Sequence, residues 1–89
     1  LPVKKGRSKR LNALKDETRT IILYESPHKF IKTINDLIDK MGSKRRISVS
    51  RELTKIYEET IRGDLSYILA YFKNKKLKGE FVIVIEGNK

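Results

Sequence analysis

An α/β fold is predicted by three features of this chain. Two apolar runs have the length of strands, Thr20-Ile21-Ile22-Leu23-Tyr24 and Phe81-Val82-Ile83-Val84-Ile85. Phe30, Ile31, Ile34, Leu37, Ile38 and Met41 form a helical stripe between them, and Ile47-Ser48-Val49-Ser50 alternates with the period of a strand. Strands alternating with helices imply a sheet flanked by helices. About four strands are expected in a mixed sheet, because the second and third lie too close in sequence for a long crossover.

Each element has a local reason. Ser8 to Leu14 reads as a short first helix, with Ser8 able to cap it and Leu11 and Leu14 on one face. Thr20 to Tyr24 is β-branched and continuously apolar, as in a strand buried on both faces. Ser26 suits the N-cap of the next helix and Pro27 its first position, where the missing N–H costs nothing. Gly42 is expected to close that helix in the left-handed cap position. Ile56 to Arg62 admits helix or strand, with Tyr57, Thr60, Ile61 and the following Gly63 favouring a strand. Asp64 caps a helix carrying Leu65, Ile68, Leu69 and Phe72 on one face. Lys78-Gly79 then turns the chain into a last strand, read as fully buried.

Eighty-nine residues, 38% hydrophobic and 36% charged, suffice for one small globular domain. The expected division is 1–17 as a basic segment with a short helix and 18–89 as the α/β domain. A start at Leu1 instead of Met, with a basic stretch in place of a capped element, suggests a piece of a longer protein. There is no cysteine, which removes disulfides and thiolate chemistry and fits an intracellular, cytoplasmic origin. No metal site is expected. The longest apolar run, Phe81 to Ile85, is far short of the roughly 20 residues a membrane helix needs.

The net charge is +10, and more than half of it lies in residues 1–15, where Lys4, Lys5, Arg7, Lys9, Arg10 and Lys15 meet no acid. Lys44-Arg45-Arg46 and Lys73, Lys75, Lys76 and Lys78 form smaller groups. This is the footprint of a protein that meets phosphates, although a solvated basic terminus gives the same pattern.

Leu1-Pro2 followed by basic residues, Tyr24-Glu25-Ser26-Pro27-His28, Arg51-Glu52-Leu53-Thr54-Lys55, Tyr57-Glu58-Glu59, Arg62-Gly63 and Lys78-Gly79-Glu80 occur in that order. Together they resemble the C-terminal half of the ribosomal RNA small subunit methyltransferase I family, within the tetrapyrrole (corrin/porphyrin) methylase superfamily. The resemblance implies an S-adenosylmethionine-dependent enzyme that methylates the ribose 2′-oxygen of a cytidine in small-subunit (16S) rRNA. It implies two α/β domains with the cofactor between them, and homodimerisation. The Gly-rich loop of the N-terminal domain is absent here, so the fragment alone is expected to be inactive and to need its own N-terminal methylase domain as partner.

Methyl transfer from a sulfonium to an oxygen is an in-line displacement that depends on alignment, helped by a base or a cation at the developing alkoxide. Cofactor-binding residues are expected at Tyr24, Glu25, Ser26, Arg51, Glu52 and Leu53. Glu25 and Glu52 follow strands, where α/β sheets build ligand sites, and each can accept from a hydroxyl or amine. Each can equally pair with a neighbouring base, Glu52 with Arg51 or Lys55. Arg51 suits a bidentate clamp on phosphate or carboxylate. The catalytic residue is unknown, with Arg51, Glu52, Lys55 and His28 as candidates. His28, in a first helical turn, reads more readily as a hydrogen-bonding residue than as a base. Tyr24 and Tyr57 read as core or cross-strand residues, with base stacking as the alternative. RNA is expected along Lys4, Lys5, Arg7, Lys9 and Arg10. Two other readings stay open, a tetrapyrrole methyltransferase domain and a non-enzymatic nucleic-acid-binding module.

Overall fold

The structure is a computed structural model that describes residues 7–54 and 57–88. In chain order its elements are α1 (Arg7–Lys15), β1 (Ile21–Glu25), α2 (Pro27–Met41), β2 (Arg46–Thr54), β3 (Tyr57–Asp64), α3 (Leu65–Phe72) and β4 (Phe81–Ile85). Both strand-length runs, the alternating stretch and the helical stripe form the elements their patterns demand, and Tyr57 to Asp64 resolves as a strand. Helix α1 begins at Arg7, so Ser8 lies inside it.

The four strands form one sheet in the order β1-β4-β2-β3. Every neighbouring pair is antiparallel, which departs from the expected mixed sheet. The cause is the position of β4. Strands β1 and β2, joined through α2, run the same way, but β4 lies between them and opposes both. Strands β3 and β4, joined through α3, are likewise separated by β2. Only β2 and β3 form a hairpin, with Arg46 opposite Asp64 at one end, Thr54 opposite Tyr57 at the other, and an irregularity between Glu52 and Thr54.

The helices cover one face of this sheet. Phe81, Ile83 and Ile85 of β4, Ile47 and Val49 of β2, and Ile21 and Leu23 of β1 point into that layer. There they join Phe30, Ile34 and Leu37 of α2, Leu65, Ile68 and Phe72 of α3, and Leu11 and Leu14 of α1 in a single core. Among the described residues no element covers the opposite face. Strand β1 therefore alternates instead of being buried on both sides, with Ile22 57% and Tyr24 70% exposed. Val82 and Val84 of β4 are half-buried for the same reason. A continuous apolar run signals two covered faces only when a second layer exists.

Three aromatic rings hold the centre. Phe30 stacks on Phe81 with centroids 4.1 Å apart, and Phe72 meets Phe30 and Phe81 edge-on at 5.1 and 5.6 Å. Such offset and edge-to-face pairs gain beyond their burial. Ser26 occupies the N-cap position of α2 with extended backbone, and Gly42 ends the helix at φ 87°, ψ 155° while donating its N–H to the Ile38 carbonyl. That φ favours glycine, although ψ lies outside the left-handed helical region that was expected. Asp64 caps α3 by accepting the Tyr67 N–H at 2.8 Å, which holds its carboxyl below the usual range. Among the described residues no helix is long and apolar enough to cross a membrane.

Phe30→Ala removes the ring shared by α2, α3 and β4. It should cost about 3–5 kcal/mol in urea denaturation, and a loss under about 1 kcal/mol would show that the three rings do not form the centre of the core.

Candidate functional site

The end of the sheet where β1 runs into α2 gathers most of the residues singled out above. Pairing places Glu25, Phe81, Arg51 and Glu59 in one cross-sheet row on the helix-covered face. The Tyr24-to-His28 and Arg51-to-Thr54 segments thus reach the same end of the sheet, with Phe81 between Glu25 and Arg51.

Arg51 is 8% exposed. Its Nε donates to Glu59 Oε1 at 2.9 Å and its Nη1 to the Lys76 carbonyl at 3.4 Å. The guanidinium carbon lies 5.4 Å from the Phe72 ring centroid and 5.8 Å from that of Phe81. The Tyr71 hydroxyl donates to the other Glu59 oxygen at 2.8 Å. That hydroxyl, with Arg51 second, holds the Glu59 carboxyl below its usual range against the cost of burial. The same bond raises the Tyr71 hydroxyl, whose proton the carboxylate retains. Lys75 Nζ stands 4.6 Å from the Tyr71 ring centroid. The pairing of Arg51 with Glu52 considered from sequence does not form, because consecutive strand residues face opposite sides. Its partner Glu59 lies eight residues on, across the hairpin.

Glu25 is also 8% exposed. It accepts the Thr33 hydroxyl at 2.7 Å and the Ser26 N–H at 3.2 Å, tying the end of β1 to the start of α2. Ser26 makes no side-chain capping bond; its carbonyl accepts the Lys29 N–H at 3.1 Å. His28 is exposed in the first turn.

On the open face the neighbouring row runs Tyr24, Val82, Ser50, Thr60, with 3.0 Å between the Ser50 and Thr60 hydroxyl oxygens. Tyr24 is an exposed ring there, not a core residue. At the end of the hairpin Glu52 lies directly opposite Glu58, both exposed. Like charges placed so repel, and a cation or hydrogen-bond donor set between them relieves the cost. The loop from α3 to β4 borders this end. Gly79 has φ 74°, and a Cβ there would lie 2.5 Å from the Glu52 carbonyl oxygen, so only glycine permits the approach. Lys73, Lys75, Lys76 and Lys78 are exposed along that loop.

Of the remaining expected residues, Lys4, Lys5 and Lys55 lie outside the described residues. Arg7 and Lys9 lie in α1 and Leu53 in β2, and Arg10 is exposed on α1. Glu59 and Tyr71 were not anticipated as partners of Arg51. The Glu59 pairing can be counted once β2 and β3 are known to form a hairpin, whereas the Tyr71 contact depends on how α3 packs.

Breaking the Arg51–Glu59 pair by Arg51→Met should cost about 3 kcal/mol, the low end for a buried pair because Glu59 is partly exposed. Arg51→Met with Glu59→Leu should recover part of it, and denaturant titration of the single and double variants checks both. The folded-state value of Glu59 lies below the unfolded one. Its contribution is therefore full above the ordinary carboxylate range and is lost as pH falls through the lowered value. Glu59→Gln should flatten the stability profile in that acid window and, because the same carboxylate raises the Tyr71 hydroxyl, also lessen the loss of stability at alkaline pH.

No protein-family model matches the chain. Curated relatives do. The chain is 47% identical over 81 residues to ribosomal RNA small subunit methyltransferase I of Synechocystis, covering 91% of this chain and 29% of that protein. With the protein of the same name from Bacillus subtilis it shares 44% over 85 residues, 96% of the chain and 29% of the relative. The Escherichia coli O157:H7 protein matches at 38% over 92 residues, all of the chain and 32% of the relative. The chain spans about a third of the length of these relatives. Sequence identity along almost the whole chain identifies it as homologous to one segment of ribosomal RNA small subunit methyltransferase I.

Proposed function

We propose that this chain is the C-terminal half of an S-adenosylmethionine-dependent methyltransferase that acts on the ribose 2′-oxygen of a cytidine in small-subunit rRNA. The observation that carries the reading is 38–47% identity over 91–100% of the chain to the three relatives of that name. Those names favour rRNA over a tetrapyrrole as acceptor, as does the basic net charge, which suits an extended polyanion. The reading includes a cytoplasmic, dimeric enzyme whose cofactor cleft is completed by an N-terminal domain, so that the isolated chain is inactive.

Polar groups at the β1–α2 end fit such a cofactor. Glu52 is an exposed carboxylate opposed by Glu58, and its need for a donor matches ribose hydroxyls or an amine. Ser26 keeps its hydroxyl out of the helix cap. When bound, S-adenosylmethionine supplies an electrophilic methyl group on a sulfonium. The residues of this chain supply orientation: Glu52 and Ser26 hold polar atoms, Glu25 fixes the junction through Thr33, and Arg51 fixes the α3–β4 loop through the Lys76 carbonyl. Lys55 is proposed as the cation near the acceptor oxygen, and Lys4, Lys5, Arg7, Lys9 and Arg10 as phosphate contacts.

The full-length protein, incubated with undermodified small subunits and radiolabelled donor, should label the 2′-oxygen of one cytidine. Labelling of a porphyrinogen with none in rRNA would sink the reading. Glu52→Gln should raise the KM for the cofactor roughly 10- to 100-fold, the loss of a charge-assisted hydrogen bond, with a smaller effect on kcat. An unchanged KM would remove Glu52 from the cofactor site.

A further inference from the structure

We infer that the open face of the sheet is a docking surface for single-stranded RNA, with Tyr24 stacking on a base and Arg46 and Arg62 meeting the phosphodiester backbone. The inference rests on the proposed rRNA substrate and adds where that RNA lies.

The face has two halves. Ile22, Tyr24, Val82 and Val84 give β1 and β4 an apolar surface. Ser48, Ser50, Thr60 and Arg62 give β2 and β3 a polar, basic one. Pairing sets Ile22, Val84, Ser48 and Arg62 in one row, beside the row that starts at Tyr24. Along the lower edge lies a shallow hollow of about 270 Å³ lined by Thr20, Arg46, Ser48, Arg62, Val84 and Glu86. Neither guanidinium makes a hydrogen bond or ion pair with the described residues. Two carboxylates stand nearby. Asp64, opposite Arg46, accepts from the Tyr67 N–H and the Ser66 hydroxyl and is also attracted by the Arg46 charge without a hydrogen bond to it, and Glu86 sits at the rim. The Glu52–Glu58 pair closes the other end of the face.

This arrangement matches the chemistry of single-stranded RNA. Bases stack on exposed rings across a four-stranded antiparallel sheet, while arginine forks take phosphate oxygens. Three strand spacings separate β1 from β3, about 14 Å, enough for a short run of nucleotides between Tyr24 and Arg62. On the face itself the guanidiniums lie at the Arg46–Arg62 side and the carboxylates of Glu52 and Glu58 at the other, so the backbone crosses on the Arg46–Arg62 side. Tyr24, counted from sequence among cofactor residues, is assigned by its place on this face to the RNA. A duplex presents no free base face and does not fit.

The test measures binding of a labelled single-stranded oligoribonucleotide to the chain as a function of salt. Tyr24→Ala should weaken binding roughly 5- to 100-fold at fixed salt and leave the salt slope unchanged, and Tyr24→Phe should restore it. Arg46→Gln with Arg62→Gln should reduce the slope of log K against log salt by about 1.4. Because the chain has no cysteine, Ser48→Cys places a single thiol on the face, and RNA should protect it from maleimide. Unchanged affinity and slope in variants that keep the parent's denaturation midpoint would overturn the proposal, as would a thiol that RNA leaves reactive. If the same Ser48→Cys substitution in the full-length protein gives a thiol already blocked before RNA is added, the face belongs to the rest of the polypeptide, and the proposal is overturned too. Failure of the underlying reading looks different. In that case the unmodified full-length protein leaves rRNA unlabelled, whereas if only the docking surface is wrong, methylation survives every substitution on the face.

Discussion

The ring of Phe81 stacks on Phe30 and meets Phe72 edge-on, and it does so from the middle of the sheet. That contact couples α2 and α3 to a strand with neighbours on both sides. It also sets the one-sided layering. With both helices drawn to the Phe81 face, no described element covers the other face, and the side chains alternating away from the core are left on an open sheet. The accessibility of Tyr24 and the burial of Arg51 are two outcomes of that single arrangement.

Arg51 shows how such an arrangement redistributes roles. Read along the chain, it is a permanent charge at a strand end beside an acid and a lysine, a natural clamp. In the fold its guanidinium lies near two phenylalanine rings and donates to Glu59 and to the Lys76 carbonyl. A buried ion pair gains little net stability over an apolar replacement, because desolvation offsets most of the attraction. What it fixes is geometry: β2, β3, α3 and the loop beyond α3 share one charged centre. Tyr71, donating to the second Glu59 oxygen, completes that centre from the helix side.

Local patterns carried much of the fold. The stripe from Phe30 to Met41, the cap at Asp64 and the alternation through Val49 lead directly to α2, α3 and β2, because each pattern is satisfied by contacts one element makes as a unit. Strand order is a different kind of fact. Nothing in Phe81 to Ile85 says between which strands it inserts, so the direction of the sheet and the exposure of Tyr24 were out of reach. The site divides the same way. The junction at Glu25 and Ser26 was legible from the strand-to-helix change, and the meeting of the two motif segments at one sheet end followed. Which groups were already occupied was not legible, since Thr33, Glu59 and Tyr71 reach Glu25 and Arg51 through tertiary packing.

Among the described residues strand β1 is an edge of the sheet, hydrogen-bonded on one side only, to β4. From Ile21 to Tyr24 it carries no charge, no proline and no bulge, the devices by which edge strands discourage pairing with other chains. Besides the inward-pointing carboxylate of Glu25 at its end, what guards it is remote: a net charge of +10 that keeps copies of the molecule apart. That protection is ionic and therefore conditional. At about 0.15 M salt its reach shrinks to roughly 8 Å, so the ions that loosen a polyanion from this protein also lower the barrier to strand-on-strand self-association.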